Sequence, residues 1–141
     1  MEVKNAEFYK DEPHVSPNQR WIAYNATESG RWEVYVATFP GFTAMRQVSK
    51  NGGAQALWRK DGKELFYLSL DGKLMAVDVK TGATIDIGAP HALFQTRLVV
   101  AGNEDQYCVT GDGKRFIFNE PAGQGTTQVT VVLNWAAGLK R

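Results

Sequence analysis

Histidine, cysteine, serine and carboxylate side chains carry most metal and hydrolytic chemistry, so their spacing is read first. His14 and His91 lie far apart, and neither is spaced from Cys108 or from a carboxylate pair as ligands are. A metal centre draws three or four such groups together. No metal and no cofactor are therefore expected. Cys108 is the single cysteine, which excludes a disulfide within the chain and a Cys-rich metal site. It falls in the apolar stretch Gln106–Val109, where it is expected to be buried as a small hydrophobe and not poised as a nucleophile. Ser16, Ser29, Ser49 and Ser69 stand in no Gly-x-Ser-x-Gly elbow. Asp61, Asp71 and Asp112 each precede a glycine, and Asp in that position bonds its own backbone in a turn. The catalytic set is empty, and what those aspartates position becomes the question.

The stretch "RKDGKELFYLSLDGKLMAVDV", Arg59 to Val79, holds two of these turns, each followed by a short apolar run. The first recurs. Asp61-Gly62-Lys63-Glu64-Leu65-Phe66-Tyr67 matches Asp112-Gly113-Lys114-Arg115-Phe116-Ile117-Phe118 downstream and Asn18-Gln19-Arg20-Trp21-Ile22-Ala23-Tyr24 upstream. The offsets are 43 residues (18 to 61) and 51 residues (61 to 112). Each copy reads as strand, tight turn, strand. Gly accepts the positive φ that hairpin turns demand, and Asn18-Gln19 is a weaker version, since of the two only Asn readily tolerates that region.

A further strand follows each pair, at Trp32–Ala37, Leu74–Val79 and Gln128–Trp135. Weaker strands are expected at Arg46–Ser49 and near Ala92–Phe94. No stretch carries a helical period, apart from one turn at most in the tail, Ala136–Arg141. Periods in the forties with about four short strands each are the signature of β-propeller blades. An all-β sandwich is the competing architecture.

Composition agrees with a soluble all-β domain. The chain has 141 residues, 43% hydrophobic, 11% aromatic and 22% charged, with 14 glycines. A net charge of +1 gives no field that favours nucleic acid or an anionic membrane. Nothing reads as a signal peptide or a membrane span. The expected location is cytoplasmic if the chain is complete, and periplasmic if it is a fragment of an exported protein.

Ser16-Pro17-Asn18-Gln19-Arg20-Trp21-Ile22-Ala23-Tyr24, followed by Glu28–Val36, resembles the TolB-type, WD-like β-propeller repeat, whose core is Ser-Pro-Asp-Gly, two polar residues and an apolar run. The resemblance covers about Pro13 to Arg141 and departs at Asn18-Gln19, where the family prefers Asp-Gly. It implies an all-β fold of three blades of antiparallel four-stranded sheets (about 10–50, 51–95 and 96–141), with 3–9 as an extra N-terminal strand. Such bacterial propellers usually have six blades. Three leave apolar sheet faces bare at both ends, so a homodimer closing a six-bladed ring is expected. The strand at Val3–Tyr9 would complete the partner's last blade.

Inner strands line the channel of a propeller, which marks His14, Trp58 and Arg59 as the candidate binding residues. The resemblance implies a non-catalytic module for a protein, peptide or ligand partner, with no nucleic acid and no membrane. The alternatives are a hydrolase or lyase at the channel mouth, and a structural remnant of a larger sensor protein.

Overall fold

A computed structural model describes residues 10–101, 104–123 and 126–133, with side chains for 12–101 and 104–120. The strand expected at Val3–Tyr9 and the aromatic Trp135 lie outside the described residues. Three antiparallel sheets follow one another along the chain. The first is β1 (Lys10–Val15), β2 (Trp21–Ala26), β3 (Glu33–Thr38) and β4 (Arg46–Gln47), in that spatial order. The second is β5 (Ala54–Trp58), β6 (Glu64–Leu68), β7 (Lys73–Thr81), β8 (Ile85–Ile87) and β9 (His91–Gln95). The third is β10 (Tyr107–Val109), β11 (Arg115–Gly123) and β12 (Thr126–Leu133). No helix forms among the described residues, so none is long and apolar enough to cross a membrane.

The second sheet carries a short strand, β8, that no apolar run in the sequence announces. β7 runs to Thr81, pairs with β8 along its second half and with β9 along its first. The outer strand of this blade is thus interrupted, at Gly88-Ala89-Pro90, where Pro90 has no amide to offer a ladder.

Four turns share one construction. In Ser16–Gln19, Arg59–Gly62, Ser69–Gly72 and Thr110–Gly113 the fourth amide donates to the first carbonyl, at 2.8, 2.8, 2.9 and 2.9 Å. The fourth residue is left-handed each time: Gln19 at φ 61°, Gly62 at 74°, Gly72 at 88° and Gly113 at 71°. Left-handed backbone therefore falls on Gln19 and not on Asn18. Asn18 serves instead as the acceptor: its Oδ1 takes the Ser16 hydroxyl at 2.6 Å and the Arg20 amide at 3.1 Å. Thr110 and Asp112 repeat this, with the Lys114 amide on Asp112 at 3.0 Å. Ser69 donates to Asp71 in the same way. Arg59 replaces the hydroxyl in the middle blade and grips both oxygens of Asp61, at 2.7 and 2.8 Å. These donors hold the carboxyls of Asp61, Asp71 and Asp112 below the usual carboxylate range.

The turns also stack on one another. A Cβ on Gly62 would stand 3.6 Å from Pro17 of the preceding blade, and one on Gly113 would stand 2.8 Å from the Arg59 stem. The Lys60 amide donates to the Gly111 carbonyl at 3.3 Å.

Alternation along each strand then divides the core by face. Trp21, Ala23, Val34 and Val36 pack with Leu65, Tyr67, Val77 and Val79 between the first and second sheets. Phe66, Leu68, Leu74 and Ala76 pack with Tyr107, Phe116 and Phe118 between the second and third. Phe66 and Phe116 meet edge to face with centroids 5.1 Å apart. Both are fully buried, each contributing about 1.5–3 kcal/mol of burial.

The free face of the first blade is not bare as expected. Ile22, Tyr24, Ala26, Tyr35 and Ala37 are buried there, with Phe39 and Phe42 packed on them. Tyr24 stacks on Tyr35 at 5.7 Å and meets Phe42 at 5.0 Å. A second copy closing a ring on this face would meet Phe39 and Phe42 first. Phe42→Ala is accordingly expected to raise the associated fraction measured by light scattering.

The turn geometry sets opposite outcomes for two substitutions. Gly113→Ala places a side chain at positive φ and against Arg59, and should lower stability by more than about 1 kcal/mol. Gln19→Gly relieves the same conformation and should raise it by up to about 1 kcal/mol. Urea midpoints of the two variants against the parent chain check both signs.

Candidate functional site on the inner strands

β1, β5 and β10 are the first strands of their sheets, and they sit together. The offsets that relate the turns, 43 and 51 residues, also relate His14 to Leu57 to Cys108 and Val15 to Trp58 to Val109. All six, with Pro17, line one open cavity of about 350 Å³. The repeat thus delivers equivalent positions of three blades to one place.

Of the three residues marked as binding candidates, two meet here. The Trp58 indole N–H donates to the His14 carbonyl at 2.9 Å, which ties the first blade to the second. Burial holds the His14 imidazole below its ordinary pKa, against the opposing field of Asp105. Arg59 departs from expectation. β5 ends at Trp58, so Arg59 belongs to the turn, where its guanidinium is committed to Asp61 and, at 3.0 Å, to buried Glu64. It lines a different cavity of about 410 Å³ with Glu64, Asp78 and His91. His91 begins β9, and its Nε2 is buried without a hydrogen-bond partner.

Cys108 also departs from expectation. It is exposed, because β10 alternates: Tyr107 turns into the core and Cys108 turns to the cavity. A strand of three residues with one face buried cannot hide both neighbours.

A second set of equivalent positions is Glu12, Gln55 and Gln106. The register of β1 on β2 shifts between Asp11 and His14, and that of β5 on β6 between Ala54 and Leu57. Glu12 at φ 56° and Gln55 at φ 60° are the residues that absorb the shifts. Bulges of this kind re-aim side chains. Gln55 is buried and works as a junction. Its Nε2 donates to the Ala101 carbonyl at 2.8 Å and to Gln106 Oε1 at 2.7 Å, and its Oε1 accepts the Gln106 amide at 2.9 Å. The Tyr107 hydroxyl donates to the Gln55 carbonyl at 2.8 Å. These bonds pin the segment that leads into β10, and with it Asp105.

The result is a cluster that sequence spacing hides. Oxygens of Glu12 and Asp105 and a ring nitrogen of His14 all lie within 4.8 Å of one another. Glu12 and His14 are half-buried and Asp105 is exposed. His14 therefore does stand beside a carboxylate pair, one member from its own strand and one from the approach to the third blade. The Glu12-x-His14 spacing was visible, but nothing in sequence brought Asp105 to it.

No family model matches the chain, and no curated protein does. Solved structures do. TolB from Acinetobacter baumannii superposes with a TM-score of 0.64 at 16% identity, over 86% of this chain and 29% of that one. A puromycin hydrolase gives 0.66 at 19%, over 91% and 21%. An oligogalacturonate lyase from Vibrio parahaemolyticus gives 0.51 at 12%, over 74% and 26%. The chain spans less than a third of the length of each. At these identities the likeness establishes the fold, a β-propeller arrangement, and nothing about activity.

The Tyr107 hydroxyl reports on the junction. Burial, reinforced by Glu12, raises its pKa well above the ordinary value. The neutral phenol is thus favoured in the fold. Its stabilisation is complete below about pH 10, the unfolded value, and is lost as pH rises through it toward the folded one. Tyr107→Phe should cost about 1–3 kcal/mol at neutral pH, by leaving the Gln55 carbonyl unpaired. It should also flatten the fall in stability in alkali. Urea midpoints at neutral and alkaline pH, for parent and variant, check both statements.

Proposed function

We propose that the chain is a recognition module that binds an extended peptide segment of a protein partner on its inner-strand face. One observation carries the reading. Equivalent positions of three blades converge on a single open cavity, with the Trp58 ring, Val15, Pro17, Leu57 and Val109 for apolar contact and His14 and Cys108 as polar points. Apolar walls with few polar groups are what binding sites offer. Trp is also among the residues that dominate interface energetics. The shared construction of the aspartate turns supports the same reading, because it assigns Asp61, Asp71 and Asp112 to structure.

A hydrolase or lyase is the second reading, favoured by the carboxylates beside His14, which could orient the imidazole as a general base. Two of the solved neighbours carry such names.

Panning a phage-displayed library of linear peptides on the full chain tests the proposal. Enriched peptides are expected to bind at least tenfold more weakly to Trp58→Ala and to Val15→Glu. Val15 is 39% exposed, so its change reaches the cavity and spares the core. Lys80→Ala, on the exposed side of β7, should leave binding unchanged. No enrichment, enriched peptides indifferent to both cavity variants, or cleavage of the displayed peptides overturns the proposal.

A further inference from the structure

We propose that Glu12, His14 and Asp105 form a binding site for a divalent first-row transition ion, with Mn²⁺ and Zn²⁺ as the fitting class.

The donor set is one imidazole nitrogen and two carboxylates, which suits these ions and not the all-oxygen preference of Ca²⁺. Ligand atoms each about 2.1 Å from a common ion stand roughly 3–3.5 Å apart. The three atoms here lie within 4.8 Å of one another, so each pair has to close by no more than about 1–2 Å to take up an ion. The scaffold around them is fixed. The His14 main chain is held by the Trp58 indole at 2.9 Å. Asp105 is the neighbour of Gln106, whose amide and side chain are both locked to Gln55. Glu12 sits at the bulge that turns it toward His14. Three protein ligands leave coordination positions for water or for a donor from a bound molecule, as open metal sites do.

The site draws on two parts of the chain far apart in sequence. β1 supplies Glu12 and His14, and the segment entering β10 supplies Asp105. An ion there would clip the first blade to the third across the inner face. His14 also lines the peptide cavity, so the ion would sit at its edge. The inference does not rest on peptide recognition; either can fail alone.

The test uses untagged full chain, stripped with chelator and titrated with Zn²⁺, Mn²⁺ and Co²⁺ by calorimetry and by tryptophan fluorescence. One ion per chain is expected, with partial quenching by Co²⁺ because Trp58 touches the His14 main chain. His14→Ala and Asp105→Asn should each weaken binding at least tenfold while the far-ultraviolet spectrum stays that of the parent. Trp58→Phe should keep the ion and lose most of the quench. His91→Ala and Cys108→Ser should leave affinity unchanged. Absence of binding at submillimolar ion, binding untouched by His14→Ala and Asp105→Asn, or binding abolished by Cys108→Ser overturns the proposal.

Discussion

A left-handed residue at the end of a four-residue turn is the constraint on which this architecture rests. It closes the hairpin between first and second strands of each blade, and its position fixes which residue begins the second strand. Strand alternation then sends Trp21 and Ala23 to one face and Ile22 and Tyr24 to the other. A slip of one residue there would exchange the faces of the whole blade. Packing adds a second demand. Gly62 and Gly113 lie against the turn of the preceding blade, and Gly113 is close enough to Arg59 that a side chain would collide. Conformation and contact thus select glycine for separate reasons, and the same small residue sets both the shape of a blade and its distance from the next.

Polar bonds do the corresponding work on the inner face. The first and second blades meet through a tryptophan bound to a main-chain carbonyl, the second and third through paired glutamines. Gln55 lies buried with Ala101, Gln106 and Tyr107 all bonded to it. Buried amides are tolerated when their capacity is met, and Gln55 meets it with the residues that deliver Asp105 and Cys108 to the cavity. The first interface also has a buried carboxylate, Glu33. It accepts the Ser49 hydroxyl at 2.5 Å, the Gly52 amide at 2.8 Å and Arg31 at 3.0 Å.

The fold was legible in sequence because its defining signal is local. Asp-Gly with an apolar run after it is a turn and a strand wherever it stands, and three copies at related offsets imply blades. The repeat also places His14 and Trp58 on neighbouring inner strands, one residue out of equivalence: His14 corresponds to Leu57 and Trp58 to Val15. Arg59 was misplaced by a single residue: the turn begins there, and a guanidinium beside Asp61 is captured by it. Cys108 was misjudged because the apolar company of Tyr107 and Val109 says nothing about which face of a short strand is covered. Asp105 could not be found at all. Its partner group is set by a bulge at Glu12 and by a glutamine pair spanning 51 residues, and neither leaves a pattern that spacing reveals.

The long strand β7 has a consequence of its own. Its far end at Thr81 accepts the Asn18 amide at 3.2 Å, the Ile85 carbonyl beyond it accepts Arg46 at 2.5 Å, and Ile85 is buried in the layer between the first two sheets. The hairpin of the second blade therefore reaches back over the first as a strap. In an array whose repeats touch only their neighbours, cooperativity is the sum of the couplings at successive interfaces. Here each coupling is made at two places: the first at the Trp58 indole and again through this outer hairpin, the second at the Gln55–Gln106 pair and again where Phe94 of β9 meets Phe116 and Phe118.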